Sequence, residues 1–499
     1  MNTTTDIQKY ELFFDGDWHQ AREKQYLKSI NPSTGETIAM IADAGVEDTQ
    51  KAIAAARRAF DDGKWPHMTI RERGQYLNKI AHLIRENAKI LAEIECQDTG
   101  KTIKQTTFID VPTAADTFEY FANISTQLEG QIIPVPASVV SMSIREPMGV
   151  VGCIIPWNYP LITMAWKIAP ALIAGNTVVL KPSVWASLSI LKLMEIIEQA
   201  DLPKGVINVV TGNGQNVGRT LAESPEIDMI SFTGGTPTGQ EVMRLAAGTT
   251  KKLCLELGSK SPNIIFSDCD LEAALGGAMS AIFMNQGQMC TAGARLLLED
   301  KIYTKFIDQL VRKTKNLEIG NSLDYETDFG PLISHEHRQK VLGFIETGKK
   351  EGAKLVCGGK IPAAKELKDG FFLEPTIFSD VNNAMTIAQE DIFGPVLSII
   401  RFSEVEEAIK IANDTKYGLA AMIWTKDLDK VQLVSRRLRC GTVWVNTYGG
   451  FYNEAPFGGY KQSGFGRELG TEGLLEYTQT KHICIDATPG GRPLVASWF

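Results

Sequence analysis

Two short segments carry the residue types of covalent catalysis. Gly287-Gln288-Met289-Cys290-Thr291-Ala292-Gly293 presents a thiol in a glycine-flanked loop, and Leu255-Glu256-Leu257-Gly258 embeds a carboxyl group among apolar residues. A thiolate is the best side-chain nucleophile near neutral pH, and a buried carboxylate can act as its base or activate water. A lone Cys/Glu pair is weak evidence, so the surrounding segments matter. Pro156-Trp157-Asn158-Tyr159-Pro160 follows a β-rich run, where a neutral amide could donate to a developing oxyanion; a capped, proline-flanked turn is the plainer reading. Lys181-Pro182-Ser183 follows the next run, where a lysine suits a ribose hydroxyl, a phosphate or simply solvent. Phe232-Thr233-Gly234-Gly235-Thr236 leads from a strand into a helix, a place where free N–H groups favour a pyrophosphate. The usual GxGxxG spacing is absent, and the glycine-rich stretch 212–218 fits a tight turn as well as a ligand loop.

These segments need elements to hold them. Between residues 149 and 258, β-rich runs at 149–155, 177–181, 206–210, 229–232 and 252–257 alternate with helical stretches such as 187–200. That alternation predicts a parallel sheet with helices on both faces and ligands at the carboxyl ends of its strands. Upstream, Leu77, Ile80, Ile84, Leu91 and Ile94 predict one face of a single amphipathic helix. Asp15-Gly16-Asp17 and Asn31-Pro32-Ser33-Thr34-Gly35 predict turns of a small N-terminal hairpin region. A second α/β pattern begins after Glu256, with a strand at 263–266, a helix at 271–284 and a strand at 442–446.

Composition narrows the classes. At 499 residues the chain is long enough for two or three domains, and 44% hydrophobic with 22% charged residues describes a globular protein. A net charge of −8 and a pI near 5.5 argue against nucleic acid. The 8 cysteines and 6 histidines show no metal-ligand spacing, so no metal is expected. Scattered thiols and a polar start predict a cytoplasmic enzyme. The apolar stretch 150–180 is broken by Pro156, Asn158, Pro160, Lys167 and Asn176, which predicts a buried core and no membrane span.

Together with Ile392-Phe393-Gly394-Pro395 and Pro456-Phe457-Gly458-Gly459, the segments occur in an order that resembles the NAD(P)-dependent aldehyde dehydrogenase superfamily over nearly the whole chain. The resemblance implies an α/β fold: a Rossmann-type parallel-sheet cofactor domain (1–124 and 145–255), an α/β catalytic domain (256–480) and a β-strand oligomerisation arm (125–144 and 481–499). It implies oxidation of an aldehyde to the acid with NAD or NADP. Cys290 would be the nucleophile, Asn158 with the Cys290 N–H the oxyanion hole, Glu256 the base, and Lys167 with Glu468 a proton relay. Cofactor contacts would come from Ile155, Pro156, Trp157, Lys181, Ser183, Val184, Phe232, Gly234, Gly235, Leu257, Asp391 and Phe393. The substrate tunnel would be lined by Tyr159, Met164, Trp166, Met289, Thr291, Phe451 and Phe457.

Three positions depart from the family pattern: Val184 where many members carry glutamate, Asp391 where glutamate often holds a ribose, and Ser259 for a usual glycine. Val184 removes the carboxylate that would repel a 2′-phosphate, so dual use or NADP preference stands open beside NAD preference. Glu256 favours hydrolysis over transfer to coenzyme A, and the joint presence of Cys290, Glu256 and Asn158 speaks against a non-catalytic relative. A cysteine hydrolase would need a histidine partner. The aromatic tunnel suits a hydrophobic or aryl aldehyde, or a cationic amino-aldehyde held by cation–π attraction. The alternating run 139–144 predicts an exposed strand edge for pairing with another chain, and the apolar end 493–499 a packing segment, giving a homodimer or homotetramer.

Overall fold

The computed structural model describes residues 7–136 and 139–491. Two large sheets organise it. In the first, five parallel strands run in the order Lys252–Glu256, Met229–Thr233, Val150–Ile154, Thr177–Lys181 and Ile207–Val209. The N-terminal hairpin Leu12–Phe14 and Asp17–His19 extends one edge antiparallel. Gly464–Phe465 returns from far down the chain to pair with Leu255 and Glu256 on the other edge. These central strands are buried on both faces, which is why they read as near-continuous apolar runs.

The second sheet orders Lys354–Cys357, Thr376–Ser379, Val396–Phe402, Arg295–Glu299, Pro262–Ile265, Ala420–Trp424 and Thr442–Val445, parallel except at its first pair. Two sheets of this kind, each covered by helices, are the α/β architecture that the β/α alternation predicts.

Two expectations need correction. The predicted single amphipathic helix is two, Ile70–Glu86 and Ala88–Thr99, because Asn87 leaves the helical region at φ −103°, ψ 19° and its side chain donates to Leu83 O at 2.9 Å. The capping box of Thr69 and Glu72 fixes the start of the first helix, and Gly100 at φ +77° ends the second. The run 139–144 is no edge: Val140–Pro147 is the middle strand of a three-stranded sheet, paired with Gln131–Ile132 and along its whole length with Thr478–Ile485. The open edge falls to Thr478–Ile485 instead. The apolar end 493–499 lies outside the described residues.

Candidate active site

A cavity of about 530 Å³ opens between the carboxyl ends of the first sheet's strands and the loops before the second sheet. Trp157, Asn158, Gly234, Gly235, Glu256 and Leu257 come to it from the first sheet. Cys290, Met289, Asp391, Phe393 and Phe451 come from the second half of the chain. Strand ends gather at one rim of a parallel sheet, so motifs far apart in sequence meet there.

The loop that carries Cys290 is held under strain. Asn285 and Gln286 both adopt left-handed backbone (φ 48° and 54°), followed by Gly287 at φ +70°. A side chain on Gly287 would run into the Gly394 carbonyl, so the glycine permits a close approach to the Phe393 turn, itself at φ 57°. Hydrogen bonds fix the loop from several sides. Asn158 Nδ2 donates to Gln288 O at 2.9 Å, and Asn285 Nδ2 donates to the same oxygen and to Asn158 O, each at 3.1 Å. Ser259 Oγ donates to Cys290 O. With one amide proton of Asn158 so engaged, the second is left for the cavity that this residue lines.

Electrostatics separate the titratable groups. Cys290 is partly open to the cavity; burial, with Glu256 and Asp391 facing it, pushes its thiol up to about 12. Burial, reinforced by Glu468, holds the Glu256 carboxyl well above the usual range, and neither of its oxygens has a hydrogen-bond partner. Behind it Lys167 Nζ lies 2.5 Å from Glu468 Oε1 and donates to Ser231 Oγ at 3.0 Å, both partners of the ion pair being buried. Lys167 sits inside the apolar helix Pro160–Ala174.

At one end of the cavity Trp157 packs edge-on against Phe393 and His337, with ring centroids 5.3 Å apart in each case. His337 Nε2–H donates to Phe393 O at 2.7 Å, and burial lowers its ring pKa to about 4, which keeps it neutral. Beyond lie Trp185 and Lys181, whose ammonium donates to Pro182 O at 3.1 Å and is drawn down to about 8 by burial. Ser183 Oγ accepts from Trp185 N, and Val184 packs on the core. The glycine-rich stretch at 212–218 approaches Lys181 through Gly218. Gly235 opens the helix Thr236–Ala246 with no side-chain cap, so its first N–H groups are available to a phosphate. A dinucleotide fits the aromatic rings and the uncapped helix start that line this end, while Lys181, Ser183 and Val184 stand outside the lining, next to Trp185.

At the other end Trp166, Phe451 and Phe457 form a ring cluster with centroid separations of 5.4 to 5.9 Å, joined by Tyr159, Ile162 and Ile109. Tyr448 OH donates to Met289 Sδ at 2.9 Å and ties that wall to the Cys290 loop. Met164, Thr291 and Phe457 do not line the cavity; they are buried behind its wall, as are Ile155 and Phe232 at the other end. Sequence reasoning missed Trp185, His337, Lys340, Ile109 and Thr113. Trp185 was within reach of the Lys181 motif; a lone histidine on a helix carries no such signal. Among the described residues no cluster suits a metal ion, and no helix is long and apolar enough to cross a membrane.

A thiol in a strained loop, an unpartnered buried carboxyl and a dinucleotide-shaped approach to both define a nicotinamide-dependent oxidoreductase that works through a cysteine. The aldehyde dehydrogenase family profile matches residues 18–483, and the chain belongs to that family. It is 51% identical over 490 residues to a betaine aldehyde dehydrogenase of Bacillus subtilis (strain 168), covering 98% of this chain and 99% of that one. It is 43% identical to the human mitochondrial aldehyde dehydrogenase over 95% of this chain and 92% of that protein. A crystal structure of betaine aldehyde dehydrogenase from Staphylococcus aureus in complex with NAD+ superposes with a TM-score of 0.96 at 41% identity, covering 98% and 96% of the two chains. The protein is an NAD(P)-dependent aldehyde dehydrogenase that oxidises an aldehyde to its acid.

Proposed function

We propose that the substrate is a small cationic aldehyde of the betaine aldehyde kind, oxidised through Cys290. The observation that carries this reading is the aromatic end of the cavity, lined by Tyr159, Trp166 and Phe451, rings of the kind that attract a quaternary ammonium. The betaine aldehyde dehydrogenases among the relatives support it. Cys290, partly open to the cavity, loses its thiol proton to solvent and attacks the carbonyl carbon as the thiolate, while the free proton of Asn158 Nδ2 with the Cys290 N–H steadies the oxygen as charge develops. NAD(P)+, when bound, supplies the hydride acceptor; Trp157, Lys181, Gly235, Asp391 and Phe393 would hold it. Once the carbon is oxidised, Cys290 carries a thioester. Glu256 takes a proton from water, the hydroxide adds to the thioester carbon, and the C–S bond breaks to release the acid and the thiolate. The buried Lys167–Glu468 pair accepts that proton in turn. A glutamate in this place supports hydrolysis over transfer to coenzyme A.

A second reading, a neutral hydrophobic or aryl aldehyde, is favoured by one observation: no charged side chain stands on the aromatic wall itself. The reading of the chain as two domains with an arm, assembled as a homodimer or homotetramer, draws support from the open edge of Thr478–Ile485. The 8 scattered cysteines fit a cytoplasmic enzyme.

The test compares kcat/KM for betaine aldehyde with that for 3,3-dimethylbutanal, its neutral isostere, with Cys290→Ala alongside. A preference for the cation of about tenfold or more supports the cage. Equal or better turnover of the isostere favours the second reading, and activity surviving in Cys290→Ala overturns the nucleophile.

A further inference from the structure

Tyr159 lines the cavity, and the other side of its ring is occupied. The Lys101 ammonium lies 4.4 Å from the ring centroid, inside the protein. Lys101, Glu95 and Asp110 are all fully buried. Lys101 Nζ pairs with Glu95 Oε1 at 3.1 Å and with Asp110 Oδ2, and Ser189 Oγ donates to the second oxygen of Glu95. Asp110 Oδ1 has no partner. A single wide turn of helix, Thr106–Asp110, creates this placement: its π geometry leaves Ile109 on the cavity wall and Asp110 in the interior.

The cluster holds two carboxyl groups and one ammonium. The charged or titratable groups facing it are Glu95, Lys101, Cys96, Glu93 and Tyr159, with Tyr448 and Cys290 beyond the ring, and Lys101 is the one cation among them. Burial pushes the Asp110 carboxyl up to about 7 against the pull of Lys101.

We propose that the Asp110 carboxylate, acting through the Tyr159 ring, is a specificity-determining group that favours cationic aldehydes over neutral ones of the same shape. The inference rests on the reading of the aromatic end as the substrate site. Its sign does not depend on Lys101 standing nearer the ring. Ionising Asp110 adds one negative charge behind the wall whatever the fixed charges are, so it lowers the energy of any cation in front. At an effective dielectric near 20, a unit charge at a separation on the order of 10 Å is worth roughly ten- to twentyfold in selectivity.

The experiment follows the ratio of kcat/KM for betaine aldehyde to that for 3,3-dimethylbutanal across pH, in the full-length wild type and in Asp110→Asn. Both aldehydes pass through the same Cys290 and Glu256, so those ionisations cancel in the ratio, and the quaternary ammonium does not titrate. The ratio is expected to rise about tenfold as pH climbs through neutrality in the wild type, to lie flat at its low-pH value in Asp110→Asn, and to rise again in Asp110→Glu. If Asp110→Asn fails to fold, the wild-type profile still decides. A wild type that prefers the cation with a ratio indifferent to pH, or an Asp110→Asn enzyme with the wild-type ratio, overturns the inference and leaves the substrate reading standing. A ratio at or below unity throughout overturns the substrate reading and the inference with it.

Discussion

The two ends of the cavity handle charge in opposite ways. At the Trp157–Phe393 end the polar and charged groups are on the wall: His337, Lys340, Glu336 and Asp391 line it, and the helix at Gly235 offers its bare N–H groups. At the Tyr159–Trp166 end the wall is apolar, and the charge lies behind a ring in Glu95, Lys101 and Asp110. The first arrangement suits a large ligand that brings its own anionic groups and can be gripped directly. The second suits a small ligand that must be admitted without water and sorted by a field. A direct contact is strong and geometric; a field felt through an aromatic ring is weaker and blind to shape. Effects on cofactor choice should therefore exceed effects on aldehyde choice, and the junction between the ends, at Cys290 and Glu256, should outweigh both.

Glu256→Gln tests the junction and carries the largest expected effect among the groups other than Cys290. General-base assistance contributes about a hundred- to ten-thousandfold, so steady-state turnover should drop within that range. Thioester formation needs no water, so rapid mixing should still show a burst of reduced nicotinamide in the variant. The pH dependence follows from burial. The carboxyl is held protonated well above its usual range, so the base form grows as pH rises, and wild-type kcat should climb with pH where the Gln variant stays flat. A missing burst would place Glu256 at the attack of Cys290 and not at hydrolysis.

Val184→Glu sharpens the cofactor end. Val184 packs on the core next to Ser183, in the stretch that follows Lys181, and no acidic side chain from this stretch faces the buried lysine. Introducing a carboxylate should shift the ratio of kcat/KM for NAD over NADP upward by about tenfold or more, since like charges brought together cost several kcal/mol. Initial rates with both cofactors check it; an unchanged ratio would mean that the 2′-phosphate does not reach position 184.

The difference between the ends also explains what could be read from the chain. The Trp157–Phe393 end was legible as a meeting place because its motifs follow strands, and strand ends of a parallel sheet must meet: Trp157 after Val150–Ile154, Lys181 closing Thr177–Lys181, Gly234 and Gly235 after Met229–Thr233. The charged cluster was not, because Glu95, Lys101 and Asp110 belong to no motif. Their meeting depends on Asn87 breaking one helix into two and on the wide turn at Thr106–Asp110, neither of which alters the apolar periodicity. Likewise the run 139–144 alternates as an edge strand would, and only the return of Thr478–Ile485 makes it central.

The smallest effect concerns a residue that neither end owns. The Ser259 hydroxyl donates to the carbonyl of Cys290 while lying 3.2 Å from Ser261 Oγ. The backbone N–H of Ser259 faces the Asp391 carboxylate, so the residue couples the Cys290 loop to the Asp391 wall of the cavity. Ser259→Ala leaves the Cys290 carbonyl without that donor, at a cost of about 1 kcal/mol in holding the loop, or roughly fivefold in kcat. The KM for cofactor should stay unchanged, because Asp391 keeps its contact with the main chain. Ser259→Thr restores the hydroxyl and should restore kcat. Alkylation of Cys290 by iodoacetamide separates positioning from mere stability: slower inactivation of Ser259→Ala, recovered in Ser259→Thr, is the signature of a thiol that has lost its aim. Equal inactivation rates in all three proteins would mean that Gly287 and Asn158 hold the loop without help.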